Sequence, residues 1–252
     1  MNTETLVYST DSPPIWSAHL DQDGLGGEIL HAIARAAKVK ALITYLPLKR
    51  YERVTSGNRV GNPQYYVGQE FGAVIPILAT RAVFCYYRPH LPTGLVFNTL
   101  SDLKGLTLGV ERGTLEDKNS FQNMGIGVEE NATPQGLFKK LRAGRVDVIL
   151  VIDIMAYYHI EKLFPEERDN FRFIEIPGGL TPIAMMLDKN TPQADKLAKA
   201  MYKAMEQIIA DGAYYEILQK YYGTARIPGD WLPQLGRLIS QYRNQRVIVN
   251  AN

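Results

Sequence analysis

The 252-residue chain reads as an α/β protein of two lobes, each a mostly parallel sheet flanked by helices. Three observations carry that reading. Short β-like runs alternate with helix-like runs along most of the chain, an order that favours parallel strands with helices packed on both faces. A helix-ending pattern occurs twice, as Ser56-Gly57-Asn58-Arg59-Val60 and as Ala143-Gly144-Arg145-Val146-Asp147, each time after a strand–helix–strand–helix block. Charge is divided unevenly as well: residues 95–180 hold 10 basic and 13 acidic side chains, against 18 and 13 in the remainder.

Taken in order, residues 6–9 form the first predicted strand, which ends at the turn-rich Asp11-Ser12-Pro13-Pro14. After a second turn at Asp23-Gly24, the side chains Ile29, Leu30, Ile33, Ala34 and Ala37 share one face at helical spacing, so 27–37 reads as a helix. Residues 41–45 follow as a strand and 48–55 as a helix ended by Gly57. The stretch 58–72, rich in Gly, Asn and Tyr, reads as irregular, and 82–87 as a strand beyond which Pro89 and Pro92 break the pattern. The order then repeats: strand 106–110, helix 115–123, a strand near Gly127, helix 135–142, strand 146–151, helix 154–163. Two strand-like runs, 171–176 and 183–187, precede a nearly all-helical end from Thr191 onward. Its last stretch, with four arginines and one aspartate from Gly223, reads as a solvated helical face.

Composition narrows the function. With 46% apolar and 21% charged residues the chain is neither disordered nor collagen-like. A net charge of +2 is too small to hold a polyanion, which argues against nucleic-acid binding. A single cysteine, Cys85, leaves no internal disulfide framework and no multi-thiolate metal site; within strand 82–87 it reads as a buried thiol. No apolar run is long enough to span a bilayer, the most apolar one being broken by Asp147 and Asp153. The first four residues lack the start of an export signal, so the protein is expected to be either cytosolic or already processed. Fifteen tyrosines among 25 aromatics suit half-wet clefts and interfaces, or packing near the surface.

Catalytic signatures are missing. There is no G-x-S-x-G, no H-E-x-x-H, no C-x-x-C and no P-loop, and the histidines at 19, 31, 90 and 159 share no ligand spacing. No metal or cofactor is therefore expected, and His31 and His159 read as helix-surface residues. What remains are residues at the C-terminal ends of strands, where open parallel sheets bind ligands. These are Asp11, Ser12 and Trp16 after the first strand, and Glu111, Arg112, Gly113 and Thr114 after strand 106–110. Gly113 permits a tight turn; Thr114 either caps the next helix or offers its hydroxyl to an anion. Asp153, at the end of an apolar strand, either caps the helix from Ile154 or faces a wet cleft, since a carboxylate there needs a partner. Asp147, at the strand's start, reads as structural.

These pieces, spread over 5–223 in a fixed order, resemble the bacterial extracytoplasmic solute-binding proteins of family 3, which serve ATP-driven importers of polar amino acids. The matching segments include Asp11–Pro14 with Trp16, Asp23-Gly24 leading to Gly27-Glu28-Ile29, and Leu100-Ser101-Asp102-Leu103-Lys104-Gly105 before Leu108-Gly109-Val110 and Arg112-Gly113-Thr114. Residues 141–147 with Asp153, and Ala210-Asp211-Gly212-Ala213-Tyr214 through Tyr222-Gly223, complete the set. The resemblance implies the two-lobed type II periplasmic-binding-protein fold, with lobe one over 1–90 plus 185–252, lobe two over 95–180, and crossovers near 90–95 and 181–185. It implies a periplasmic monomer that captures a small molecule, with an inner-membrane permease or a sensor protein as partner. In that frame Trp16 matches the aromatic covering the ligand, Thr114 the residue bonded to an amino acid's carboxylate, and Asp153 the carboxylate holding its ammonium group.

One departure stands out. The arginine that usually clamps the carboxylate is not found where the resemblance places it, in the region of Tyr65, Tyr66 and Phe71 up to Pro76. Arg50, Arg81 or Arg112 is left to substitute, which points away from a standard α-amino acid as ligand. The expected lobe-one residues are thus Asp11, Trp16, Arg50, Asn62, Tyr65 and Tyr66, facing Arg112, Gly113, Thr114 and Asp153. Two other functions share this scaffold: a sensing module, and a dehydratase of cyclic acids whose general acid would be Glu70, Glu111 or Asp153.

Overall fold

The computed structural model describes residues 3–66, 68–115, 117–243 and 247–248. It divides into two compact units, residues 1–80 with 181–252, and Arg81–Leu180. Two 18-residue strands, β4 (Glu70–Tyr87) and β8 (Phe171–Asp188), each run through both units. Among the described residues no helix is long and apolar enough to cross a membrane.

In the first unit, β1 (Thr3–Ser9) pairs in parallel with β2 (Val39–Tyr45) and with β3 (Asn58–Gly61), and β3 pairs antiparallel with the second half of β8. The parallel β1–β2 pair is closed by a crossover helix, α1 (Gly24–Ala36), whose Leu25, Ile29, Leu30 and Ile33 are fully buried. Each such side chain contributes about 1.5–3 kcal/mol of transfer free energy. Helix α1 packs against α6 (Ala194–Ala210), a long amphipathic helix burying Leu197, Met201, Met205 and Ile208. The C-terminal helices α7 (Ala213–Tyr222) and α8 (Trp231–Arg243) are pinned to β4 by one relay: Trp231 Nε1 donates to the Tyr214 hydroxyl at 3.0 Å, which donates to the Ile77 carbonyl at 2.7 Å. Residues 244–246 and 249–252 of the basic end lie outside the described residues; Val247–Ile248 forms β9 against Glu70–Phe71.

Two expectations fail here. The 58–72 stretch is not irregular throughout, because β3 is recruited by tertiary pairing to β1 and β8 despite a sequence without strand alternation. The 48–55 helix shortens to the single turn α2 (Leu48–Tyr51), after which Arg53 N and Val54 N bond to Arg50 O and Tyr51 O in tighter three-residue turns.

The second unit repeats the plan. β5 (Thr107–Glu111) pairs in parallel with β6 (Gly127–Asn131) and β7 (Val148–Ile152), and β7 pairs antiparallel with the second half of β4. Helices α3 (Lys118–Asn123), α4 (Pro134–Arg142) and α5 (Asp153–Leu163) make the connections. Both sheet faces are buried: Cys85, Leu137, Phe138, Ile149 and Ile160 form one cluster, and Phe84, Leu103, Leu108, Val110 and Val148 the other. Neighbouring residues such as Phe84 and Cys85 enter opposite cores, so the strands read as continuous apolar runs. The Cys85 thiol is fully buried, which pushes its pKa far up. Asp147 is structural, its Oδ2 accepting from Thr107 N at 2.7 Å. His159, expected on a helix surface, is instead 1% exposed between the rings of Phe138 and Tyr158. Strand β8 is also unbroken where two runs were expected, the chain passing Pro177-Gly178-Gly179 with Gly178 at φ 72°.

Candidate functional site

In the first unit the C-terminal edge of the parallel strands is set by register, with Ser9 opposite Tyr45 and Tyr8 opposite Arg59. The loop after β1 is tight: Ser12 N donates to Trp16 O at 2.7 Å and Trp16 N to Ser12 O at 3.0 Å. Its carbonyls cap α1, since Leu25 N donates to Pro14 O at 2.9 Å and Gly26 N to Ile15 O at 2.8 Å. This cap holds Trp16 across the first turn of α1, where the indole is 4% exposed. Its Nε1 is buried and lacks an acceptor among the described residues. Asp11 is exposed at the same edge. Burial raises the pKa of the Tyr45 hydroxyl, and the nearby charges of Asp23 and Asp11 add to the effect.

The remaining first-unit candidates are split between solvent and packing. Arg50 is exposed on α2, and Tyr65 is 76% exposed. Asn62 is buried and closes the 3-10 turn Pro63–Tyr66, its Oδ1 accepting from Gln64 N at 2.9 Å. Tyr66 donates to the Tyr51 hydroxyl at 2.9 Å, which donates to Val60 O at 2.7 Å, and its ring meets Phe71 edge-on. Sequence reasoning passed over Arg59 as a site residue. Its side chain is buried, with the guanidinium 5.4 Å from the Tyr66 ring centroid and Nε without an acceptor among the described residues. A lone cation in a short run flanked by turns was its only signal. A cavity of about 410 Å³ between Glu70–Gly72 and the start of α6 is lined by Glu70, one of the candidate general acids, and by none of the expected ligand-binding residues.

In the second unit, Leu108 opposite Val148 and Gly109 opposite Ile149 bring the ends of β5 and β7 to one sheet edge. The turn after β5 is closed by Thr114 N on Glu111 O at 3.0 Å, with Gly113 at φ 86°. That backbone conformation is what requires glycine, because a Cβ there would meet nothing. Arg112, Gly113 and Thr114 are all exposed. Thr114 does not cap α3; Asp117 does, its Oδ1 accepting from Ser120 N at 3.1 Å. The Thr114 hydroxyl therefore has no capping role. Asp153 opens α5, is 3% exposed, and accepts from Ile154 N at 2.7 Å through Oδ1. Glu111, the last residue of β5, is partly buried, and burial raises its carboxyl pKa. Arg112, Gly113, Thr114 and Asp153 thus lie at the C-terminal edge of the second unit's parallel strands, and Asp11 and Trp16 follow β1 in the first, whereas Arg50, Asn62, Tyr65 and Tyr66 are not gathered with them.

No family model matches the chain, and no curated protein matches it by sequence. Its fold is shared with solved structures. It is similar to the arginine-, lysine-, histidine-binding protein ArtJ from the thermophilic bacterium Geobacillus stearothermophilus, at 22% identity and a TM-score of 0.62 over 93% of this chain and 100% of that one. It is similar to the GluR0 ligand-binding core from Nostoc punctiforme in complex with L-glutamate, at 15% identity and a TM-score of 0.63 over 87% and 99%. A histidine kinase sensor domain with similarity to periplasmic binding proteins matches at 17% identity and a TM-score of 0.61 over 88% and 96%. The fold is accordingly the two-lobed, periplasmic-binding-protein type.

Proposed function

We propose that the chain is a non-enzymatic extracytoplasmic solute-binding protein. It captures a small polar solute, amino-acid-like or a related amine or carboxylate, between two closing lobes for delivery to an ATP-driven importer. The observation that carries this reading is Asp153, an almost fully buried carboxylate at the end of β7, on the same sheet edge as the exposed Arg112-Gly113-Thr114 turn. A buried carboxylate is kept where it is bonded, and a ligand ammonium group is a strong partner for it. Trp16 supplies the aromatic side of the first unit. ArtJ and the GluR0 core, whose named ligands are amino acids, support the same reading.

A sensing module is the second reading, favoured by the likeness to a kinase sensor domain. A dehydratase of cyclic acids draws support only from the raised Glu111 carboxyl. Native mass spectrometry of the purified protein tests capture. A small-molecule adduct that disappears in Asp153→Asn is expected. A bare protein that gains no adduct from added amino acids, amines or small carboxylates contradicts it.

A further inference from the structure

The chain enters α1 through a turn that L-residues avoid. Gln22, Asp23 and Gly24 have successive φ values of 51°, 64° and 85°. The left-handed region suits glycine and is disfavoured for the two residues before it, so the surroundings must hold them there. Asp23 stands at the N-cap of α1, where an aspartate ordinarily accepts from the helix's own N–H groups. It makes no such bond, because the carbonyls of Pro14 and Ile15 already serve those groups.

The carboxylate turns elsewhere. Its Oδ2 lies 2.9 Å from His31 Nε2, two turns along α1, and its Oδ1 accepts from the Tyr45 hydroxyl at 3.2 Å at the end of β2. The backbone of the same residue reaches the candidate loop, Asp23 O accepting at 3.0 Å from the N–H of Ser17, which directly follows Trp16. Gly27 leaves the room for this, since a Cβ there would fall 2.4 Å from Asp23 Cβ and 2.5 Å from Gln22 O.

We propose that Asp23 is a positioning residue for the first-unit half of the site. Anchored by His31 and Tyr45, it locks the left-handed turn that carries Ser17 and so holds the Trp16 indole in place, touching no ligand itself. That this matters for binding rests on the proposed function; that it holds Trp16 does not.

The test uses the full chain labelled with ¹⁵N in its tryptophans. Trp231, whose Nε1 is bonded to Tyr214, gives an internal reference. Asp23→Ala is expected to shift or broaden the Trp16 indole resonance and speed its N–H exchange at least about tenfold, with Trp231 unchanged. Asp23→Asn, which keeps the shape and can bond both partners, is expected to restore most of the wild-type behaviour. An unchanged Trp16 resonance in Asp23→Ala, or equal changes at both tryptophans, overturns the proposal. Titration with L-arginine, L-glutamate and their decarboxylated amines gives the binding arm, where a probe that binds wild type is expected to bind Asp23→Ala at least about tenfold more weakly. Equal affinity overturns the link to binding. If no probe binds wild type, the solute-capture reading suffers while the resonance measurement still decides whether Asp23 holds Trp16.

Discussion

The Trp16 indole occupies the space that a side chain at position 26 would need. A Cβ on Gly26 would lie 2.6 Å from Trp16 Cζ2 and 2.8 Å from Cε2, closer than such atoms ever approach. Position 26 of α1 is therefore a glycine because an aromatic ring lies across it, and Trp16 and Gly26 explain each other.

Gly26→Ala follows directly. Alanine's better helix propensity would add up to about 1 kcal/mol of stability, but overpacking costs about 1–3 kcal/mol. With the overlap as close as 2.6 Å the cost falls at the upper end of that range, so a net destabilisation of about 2 kcal/mol is expected in urea unfolding, together with a changed Trp16 emission. An unchanged stability and spectrum would show that the ring moves aside freely.

The second-unit residues separate binding from folding. Thr114 is exposed and caps nothing, so Thr114→Val is expected to leave the melting temperature unchanged while weakening solute binding about tenfold, or about 1.4 kcal/mol. A fall in melting temperature with unaltered affinity would reverse that assignment.

His159 gives the second unit an acid sensitivity. Burial, aided by the charge of Lys162, lowers its pKa to about 4, and neither ring nitrogen has a partner among the described residues. The unfolded chain protonates its histidine near the usual value of about 6.5, so protons bind the unfolded state first. Stability is complete above that value and is lost as the pH falls from about 6.5 toward 4, by on the order of 3 kcal/mol. His159→Leu is expected to flatten this part of the pH profile. A variant with the same acid slope as wild type would assign the loss to other groups.

Tyr214→Phe removes one hydroxyl and leaves two buried groups unpaired, the Ile77 carbonyl and the Trp231 indole N–H. Leaving such groups without partners costs about 1–3 kcal/mol each, and their shared loss should lower the denaturant midpoint without changing its slope. A loss well under 1 kcal/mol would mean that water replaces the hydroxyl.

Much of this was legible in the chain because local pattern and tertiary need agree. The face formed by Ile29, Leu30 and Ile33 in α1 and the alternating blocks of the second unit follow from periodicity alone. The strands that failed to show themselves are those whose reasons lie elsewhere in the chain: β3, which forms only because β1 and β8 flank it, and β8, whose glycines look like a break but pass through the strand. Among the candidate residues, Trp16, Thr114 and Asp153 stood out by position at strand ends. Arg59 did not, because its segment read as a loop, and neither did Asp23, whose partners His31 and Tyr45 lie 8 and 22 residues away in sequence. His159 misled because nothing in an isolated helix pattern says that a ring will be packed between Phe138 and Tyr158.

Isothermal titration calorimetry of the purified chain tests solute capture most directly, using a panel of amino acids, amines and small carboxylates. A saturable one-to-one isotherm is expected for at least one of them, lost or strongly weakened in Asp153→Asn. Flat isotherms across the panel, or an isotherm that Asp153→Asn leaves intact, would contradict it.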